Sequence, residues 1–303
     1  LARMKSHFEE RERTVKSNTN MNKEDVVIKE TPQGKVFIDI YYPSEQCAEN
    51  LPVVLYTHGG GWTAGSHKTL GVFKRVFSEL NDAGFCVVSV GYRLWEKDGG
   101  VAMRDCVIDS KDALRYMSKH KEELGVDPDR FFVMGHSAGG QIAQLVLLSS
   151  PESLLSNDDE GELAEFSYRM IAGVSWYGPV NFEDVSLFNH DDRPNFRDRF
   201  GPRILYKDST NEDKTRLYKE MGSINYLCKD SPPMLIIHGD KDTTIPVKHA
   251  YCIEQKAKEL DANVEIMFVK NAGHNWRPVD DGAMEPPLNE IIEKTVSFLK
   301  SHL

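Results

Sequence analysis

The sequence contains Gly135-His136-Ser137-Ala138-Gly139-Gly140 between the apolar run Phe131–Met134 and a segment with helical periodicity. Strand, sharp turn and helix in that order are the context of the G-x-S-x-G nucleophile elbow. A serine on such a turn needs glycine two positions before and after it, because a Cβ would clash there. We therefore predict that Ser137 projects above a sheet as a nucleophile, although Gly-Ser-Gly also occurs in ordinary turns.

Short apolar runs follow one another along the rest of the chain, alternating with helical stretches. Because these runs are continuous rather than alternating, both faces of the sheet should be covered, as in a parallel sheet flanked by helices. The predicted strands are Val53–Tyr56, Phe85–Val90, Phe131–Met134, Ile171–Trp176, Met234–Ile237 and Val264–Val269. The predicted fold class is α/β, with a mostly parallel central sheet.

Other segments add detail to this architecture. Val26–Ile28 and Lys35–Tyr42 predict an antiparallel entry hairpin. Apolar spacing predicts helices over Asp105–His120, around Ile142–Val146, and from Pro246 to about Leu260.

The 303 residues allow one large domain or two small ones. We predict a charged tail or helix over residues 1–23 and a single domain over residues 24–303. The long polar stretch 181–230 is too long for a structureless loop, so a small helical insertion is expected there. It should cover the carboxyl edge of the sheet, where ligands bind in open α/β sheets, and provide substrate selectivity.

Composition excludes several classes of protein. With 37 Lys and Arg against 47 Asp and Glu, the net charge of −10 has the wrong sign for nucleic-acid binding and favours neutral substrates. No apolar stretch approaches the ~18 residues of a membrane span, so a soluble protein is expected. Five cysteines without metal-like spacing exclude a full disulfide framework and favour a cytoplasmic location. Because the chain begins at Leu1, export is not excluded, and the pattern does not indicate an oligomeric state.

A second glycine-rich segment, His58-Gly59-Gly60-Gly61-Trp62, follows the predicted strand around Val53–Tyr56. Consecutive glycines allow backbone N–H groups to approach a ligand closely, as an oxyanion hole requires. We predict that Gly60, Gly61 and Ala138 supply the donors. A flexible turn is the alternative, whereas a phosphate-binding loop would need a following Lys-Ser/Thr that is missing.

The serine hydroxyl needs a base, and the order nucleophile, acid, base along the chain restricts the choice to histidines after Ser137. His274 is favoured, because it follows the last strand on a short loop with Gly273. His238 precedes the acid and is expected to form structural hydrogen bonds. The other histidines lie in the insertion, in a helix and at the terminus: His190, His249 and His302.

Two carboxylates, Asp240 and Asp242, follow the strand that ends at Ile237. Asp242 is favoured, because it lies in the loop before Pro246, whereas Asp240 is better placed to brace the turn. The predicted task of Asp242 is to hold His274 in the correct tautomer and to stabilise its imidazolium form.

Together these segments resemble the α/β-hydrolase esterases of the bacterial acetyl esterase and feruloyl esterase type, related to hormone-sensitive-lipase-like esterases. The resemblance extends from about Asp25 to the end and includes His58–Trp62, Tyr92-Arg93-Leu94, Asp127–Arg130, Trp176-Tyr177-Gly178-Pro179 and His238–Pro246. One departure is His136, where hormone-sensitive-lipase-like members usually have Asp. The resemblance implies a serine carboxylesterase that forms an acyl-enzyme and hydrolyses short-acyl or hydroxycinnamoyl esters, on carbohydrate.

Some expectations are less sharply defined. No cofactor and no metal are expected, since the acidic segment Pro151–Phe166 has no metal-loop pattern. Trp62, Tyr177 and Trp276 are candidate substrate-pocket residues, with core packing as the alternative.

An amide hydrolase, either a peptidase or an arylformamidase, would use the same triad. A non-catalytic ligand receptor of this fold is the alternative from another class.

Overall fold

The computed structural model describes residues 22–43, 49–69, 71–155, 162–189 and 198–303. Most of the predicted tail over residues 1–23 lies outside these ranges, as does His190. Cys86, Cys106, Cys228 and Cys252 are free thiols.

Within the described residues, eight strands form one sheet. They are β1 (Lys23–Thr31), β2 (Gly34–Tyr41), β3 (Leu51–Thr57), β4 (Cys86–Gly91), β5 (Val126–His136), β6 (Met170–Trp176), β7 (Met234–Gly239) and β8 (Val264–Val269). Their order is β1-β2-β4-β3-β5-β6-β7-β8. β2 is antiparallel to both of its neighbours, and all other pairs are parallel. The predicted entry hairpin and mostly parallel sheet are confirmed.

The helices of the described ranges are α1 (Val72–Asp82), α2 (Met103–Lys119), α3 (Lys121–Leu124), α4 (Ala138–Leu148), α5 (Gly201–Ile204), α6 (Asn211–Met221), α7 (Lys248–Leu260) and α8 (Leu288–Lys300). None of them is long and apolar enough to cross a bilayer. The helix predicted to open at Pro246 begins two residues later, at Lys248; the Pro246 carbonyl accepts a hydrogen bond from the N–H of His249 at 3.0 Å.

Helices cover both faces of the sheet, which explains the continuous apolar runs. Along β3, Val53 and Leu55 belong to one core cluster, whereas Val54 and Tyr56 belong to the other. The first cluster includes buried side chains of α2, α4 and α7, and the second includes those of α1 and α8. Successive strand residues point to opposite faces, so each strand needs apolar residues at both parities.

The described parts of the segment 181–230 include several helical elements. It contains α5 and α6 and two 3₁₀ turns, Val185–Phe188 and Ser223–Asn225. Arg203 Nη1 donates to the carbonyl oxygen of Gly61, after β3, at 2.7 Å. Arg199 Nη1 donates to the carbonyl oxygen of Thr244, after β7, at 3.1 Å. The described part of the segment therefore contacts the loops at the carboxyl edge of the sheet.

Candidate active site

Ser137 occupies the sharp turn between β5 and α4. Its φ of 54° and ψ of −123° lie outside the regions that non-glycine residues ordinarily adopt. A Cβ on Gly135 would lie 2.1 Å from the carbonyl oxygen of Gly139, and a Cβ on Gly139 would lie 2.0 Å from that of Thr57. The prediction that both positions require glycine is confirmed. The N–H of Ser137 donates to the Trp176 carbonyl at 2.9 Å, which ties the turn to β6.

The structure brings Ser137, His274 and Asp242 together from loops after β5, β8 and β7. Ser137 Oγ lies 2.9 Å from His274 Nε2, and His274 Nδ1 lies 2.7 Å from Asp242 Oδ2. These loops are distant in sequence but share the carboxyl edge of the parallel strands, where such a constellation can form. The arrangement matches the connectivity of a serine hydrolase triad.

Asp242 is buried, and the carboxylate oxygen that faces away from His274 is held by backbone N–H groups. Asp242 Oδ1 accepts hydrogen bonds from the backbone N–H groups of Thr244 and Ile245, each at 2.9 Å. Its Oδ2 therefore faces the imidazole of His274 in a fixed orientation. Asp240 lies elsewhere: its Oδ1 is 3.4 Å from the N–H of Ala272, where it braces the turn.

The other described histidines of the sequence argument do not contact Ser137. His238 is buried and its Nε2 donates to the Ile245 carbonyl at 2.7 Å, as a structural hydrogen bond was expected to do. Burial lowers the pKa of His238 despite the nearby Asp242 carboxylate. His249 Nδ1 accepts from the N–H of Val180 at 3.1 Å.

The glycine loop after β3 presents unpaired donors. Gly60 has a φ of 120° and Gly61 a φ of 63°, both in the region that favours glycine. A Cβ on Gly60 would lie 2.2 Å from the carbonyl oxygen of Ala64. Within the described ranges, the N–H groups of Gly60, Gly61 and Ala138 donate to no other group. They are free to donate hydrogen bonds to an oxyanion.

His136 connects this loop to the nucleophile elbow, a contact that sequence reasoning missed. Its Nε2 accepts from the N–H of Gly59 at 3.0 Å and lies 2.9 Å from the hydroxyl of Tyr56. Its ring stacks on Phe73 at 4.2 Å. Burial lowers the pKa of His136 to about 3, so Nε2 remains an acceptor. The sequence signal that could have indicated a role for His136 in the site was its position immediately before Ser137.

The three predicted pocket aromatics are all nearly buried, and they divide into two groups. The ring of Tyr177, 2% exposed, lies 4.5 Å from that of His274 and 4.8 Å from that of Trp276, 7% exposed. Trp62 is 1% exposed, and its Nε1 donates to Gln141 Oε1 on α4 at 3.0 Å. Tyr177 therefore borders the catalytic histidine candidate and Trp276 packs on Tyr177, whereas Trp62 links the glycine loop to α4.

One group of described side chains has metal-like spacing. Asp25, Asp39 and His67 place ligand atoms within 4.8 Å of one another. Lys68 Nζ, however, lies 2.9 Å from Asp25 Oδ1 and 3.1 Å from Asp39 Oδ2. Hydrogen bonds from His67 and then Lys68 lower the pKa of Asp25. The lysine ammonium supplies the positive charge, so we interpret the group as an ion-pair cluster.

The buried histidines with lowered pKa values, among them His58 and His249, determine how stability depends on pH. Burial lowers the pKa of His58 to about 4 and that of His249 to about 3, from 6.5. Between pH 6.5 and the lowered pKa of each histidine, the unfolded chain binds more protons than the folded chain. The stability is therefore complete above pH 6.5 and falls as the pH decreases. Each histidine contributes a slope of up to about 1.4 kcal/mol per pH unit.

The variant His249→Asn retains an acceptor for the N–H of Val180 but removes one titrating group. We expect its free energy of unfolding, measured by urea denaturation between pH 6.5 and pH 4, to fall less steeply than that of the wild type. Equal slopes would show that His249 does not stay neutral in the folded protein.

Comparison with known proteins agrees with this geometry. The model of the BD-FAE family, the bifunctional acetyl/feruloyl esterases, matches residues 38–257. The chain belongs to the BD-FAE family. This family assignment confirms the resemblance to α/β-hydrolase esterases that the motifs indicated.

Individual relatives are more distant. The esterase LipC of Mycobacterium tuberculosis is 26% identical over 279 residues, which are 87% of this chain and 64% of LipC. The chain spans about half of the length of several other curated relatives.

Solved structures support the fold. Esterase 2 of Thermogutta terrifontis, in a form phosphorylated by paraoxon, has a TM-score of 0.66 at 21% identity, covering 90% of each chain. A truncated carbohydrate esterase from gut microbiota has a TM-score of 0.71 at 21% identity, covering 93% of this chain and 95% of that one.

Proposed function

We propose that this protein is a serine carboxylesterase that works through an acyl-enzyme. The observation on which the proposal rests is the continuous hydrogen-bonded path from Ser137 through His274 to Asp242, beside unpaired N–H donors. Family membership supports the same activity. Ser137 is the proposed nucleophile, His274 the base and Asp242 the residue that orients it.

The geometry defines the proposed steps. Ser137 Oγ attacks the ester carbonyl while His274 Nε2 takes its proton, and Asp242 stabilises the resulting imidazolium. The N–H groups of Gly60, Gly61 and Ala138 hold the charge that develops on the carbonyl oxygen. His274 then protonates the leaving alcohol. Water, deprotonated by His274, attacks the acyl-enzyme and releases the acid and Ser137.

The proposed substrates are short-acyl or hydroxycinnamoyl esters, with acylated carbohydrate as the natural class. The family description supports this assignment, as does the printed name of the gut carbohydrate esterase for the alcohol part. Tyr177 and Trp276 are the proposed acyl contacts, because their rings lie beside His274 or one ring further out.

A panel of esters tests the substrate proposal. We expect turnover of 4-nitrophenyl acetate and of methyl ferulate or acetylated xylan, and a decline as the linear acyl chain lengthens beyond butyryl. Kcat/KM for each ester is the measurement, with a formanilide as the amide comparison. Faster hydrolysis of the formanilide than of every ester would favour the arylformamidase alternative and contradict the carboxylesterase assignment.

A further inference from the structure

Arg203, in the helical insertion, hydrogen-bonds to the backbone of the glycine loop. Its Nη1 donates to the carbonyl oxygen of Gly61 at 2.7 Å. The same nitrogen lies so near the backbone that a Cβ on Gly61 would be 2.7 Å from it. The guanidinium thus lies directly against the residue that is proposed to supply an oxyanion donor.

Arg203 is itself held in place by the short turn to which it belongs. Its guanidinium carbon lies 5.3 Å from the centre of the Phe200 ring, and its N–H donates to the Phe200 carbonyl at 3.0 Å. The Phe200 ring packs edge-to-face on Trp62 at 5.3 Å. One turn of the insertion therefore contacts two consecutive residues of the loop, Gly61 and Trp62.

The loop needs such support because glycines restrict the backbone least. Gly59, Gly60 and Gly61 have no side chains to fix their dihedral angles, so hydrogen bonds must hold their peptide planes. The Gly60 carbonyl, in the peptide that carries the N–H of Gly61, accepts from the N–H groups of Thr63 at 3.1 Å and Ala64 at 3.0 Å. A hydrogen bond to the Gly61 carbonyl fixes the peptide plane between Gly61 and Trp62. His136 holds the N–H of Gly59 from the other side. An oxyanion hole accelerates a reaction only when its donors are preorganised.

We propose that Arg203 is a positioning residue for the oxyanion hole: its bond to the Gly61 carbonyl fixes the Gly61–Trp62 peptide inside the turn that the Gly60 carbonyl closes, and thereby keeps the adjoining N–H of Gly61 in the direction of the oxyanion. The inference rests on the proposed esterase function. It extends the task of the insertion from substrate selectivity to catalysis, since an element outside the sheet would then be required for transition-state binding.

The variant Arg203→Ala tests the proposal. Removing one oxyanion donor typically lowers kcat by about 10²–10³-fold, so loosening the loop should lower kcat by roughly 10–100-fold. KM should change little, because the ester in its ground state does not need the oxyanion contacts. Affinity for a trifluoromethyl ketone that carries the preferred acyl group should fall by the same factor as kcat/KM.

Two further measurements separate positioning from general damage to the fold. Added guanidinium at millimolar concentration should restore part of kcat to Arg203→Ala, and Arg203→Lys should retain more activity than Arg203→Ala. The control is Arg216→Ala on α6, because Arg216 is an exposed arginine of the same insertion that pairs with Asp213. Its kcat should equal that of the wild type.

The proposal is overturned if Arg203→Ala keeps the wild-type kcat, or if only its KM rises. It is also overturned if kcat falls while the affinity for the trifluoromethyl ketone stays at the wild-type value and added guanidinium restores no activity. In each of these cases the proposed function stands as long as Ser137→Ala is inactive. Full activity of Ser137→Ala would instead remove the proposed function itself.

Discussion

Replacing Ser137 by alanine is expected to reduce kcat by roughly 10⁶-fold, because the variant has no atom that can form the acyl-enzyme. The side chain makes one described hydrogen bond, to His274 Nε2. Its removal should therefore leave the melting temperature close to that of the wild type. Initial rates with 4-nitrophenyl acetate and a thermal melt measure both quantities.

A matched control is Ser118→Ala. The Ser118 hydroxyl donates to the carbonyl of Ser167, which precedes β6. Ser118 therefore lies near the start of a strand, whereas the triad lies on loops that follow the ends of strands. We expect wild-type activity for this variant. A Ser137→Ala variant that keeps more than about one hundredth of the wild-type kcat would exclude a serine acyl-enzyme, since triad serines contribute far more than that.

The second large effect is expected for Asp242→Asn, where kcat should fall by about 10⁴-fold. Oδ1 accepts two backbone N–H groups, so the asparagine oxygen must take that position. The amide nitrogen then faces His274 Nδ1 and donates to it. This forces the imidazole proton onto Nε2, which can no longer accept the proton of Ser137.

Asp240→Asn is the matched control for the acid, because it changes the neighbouring carboxylate in the same loop. Asp240 Oδ1 contacts the N–H of Ala272 at the long distance of 3.4 Å, and this contact can survive the substitution. We expect a change in kcat of less than about tenfold, as for a surface hydrogen bond of about 1 kcal/mol. An equal loss of activity in both variants would contradict the choice of Asp242 as the acid.

Local sequence patterns could predict the sheet and the residues of the triad. Ser137 stands in a six-residue motif between a strand and a helix, and His274 and Asp242 each follow a recognisable strand. Because parallel strands share one carboxyl edge, their order along the chain was enough to place these residues together.

The residues that hold the site in shape could not be predicted in this way. His136 contacts Gly59 across 77 positions, and Arg203 contacts Gly61 across 142 positions. Neither contact has a local signature, because both depend on the packing of distant elements. The helices α1 and α8 were not predicted either, although their buried residues recur at helical spacing.

Covalent labelling by paraoxon tests the central claim most directly, namely that Ser137 is a nucleophile activated by His274 and Asp242. The measurement is intact mass followed by peptide mapping. We predict one diethylphosphoryl group per chain, located on Ser137, with labelling abolished in Ser137→Ala and much slower in Asp242→Asn. Labelling at another residue, or equal labelling of Ser137→Ala and the wild type, would contradict the account.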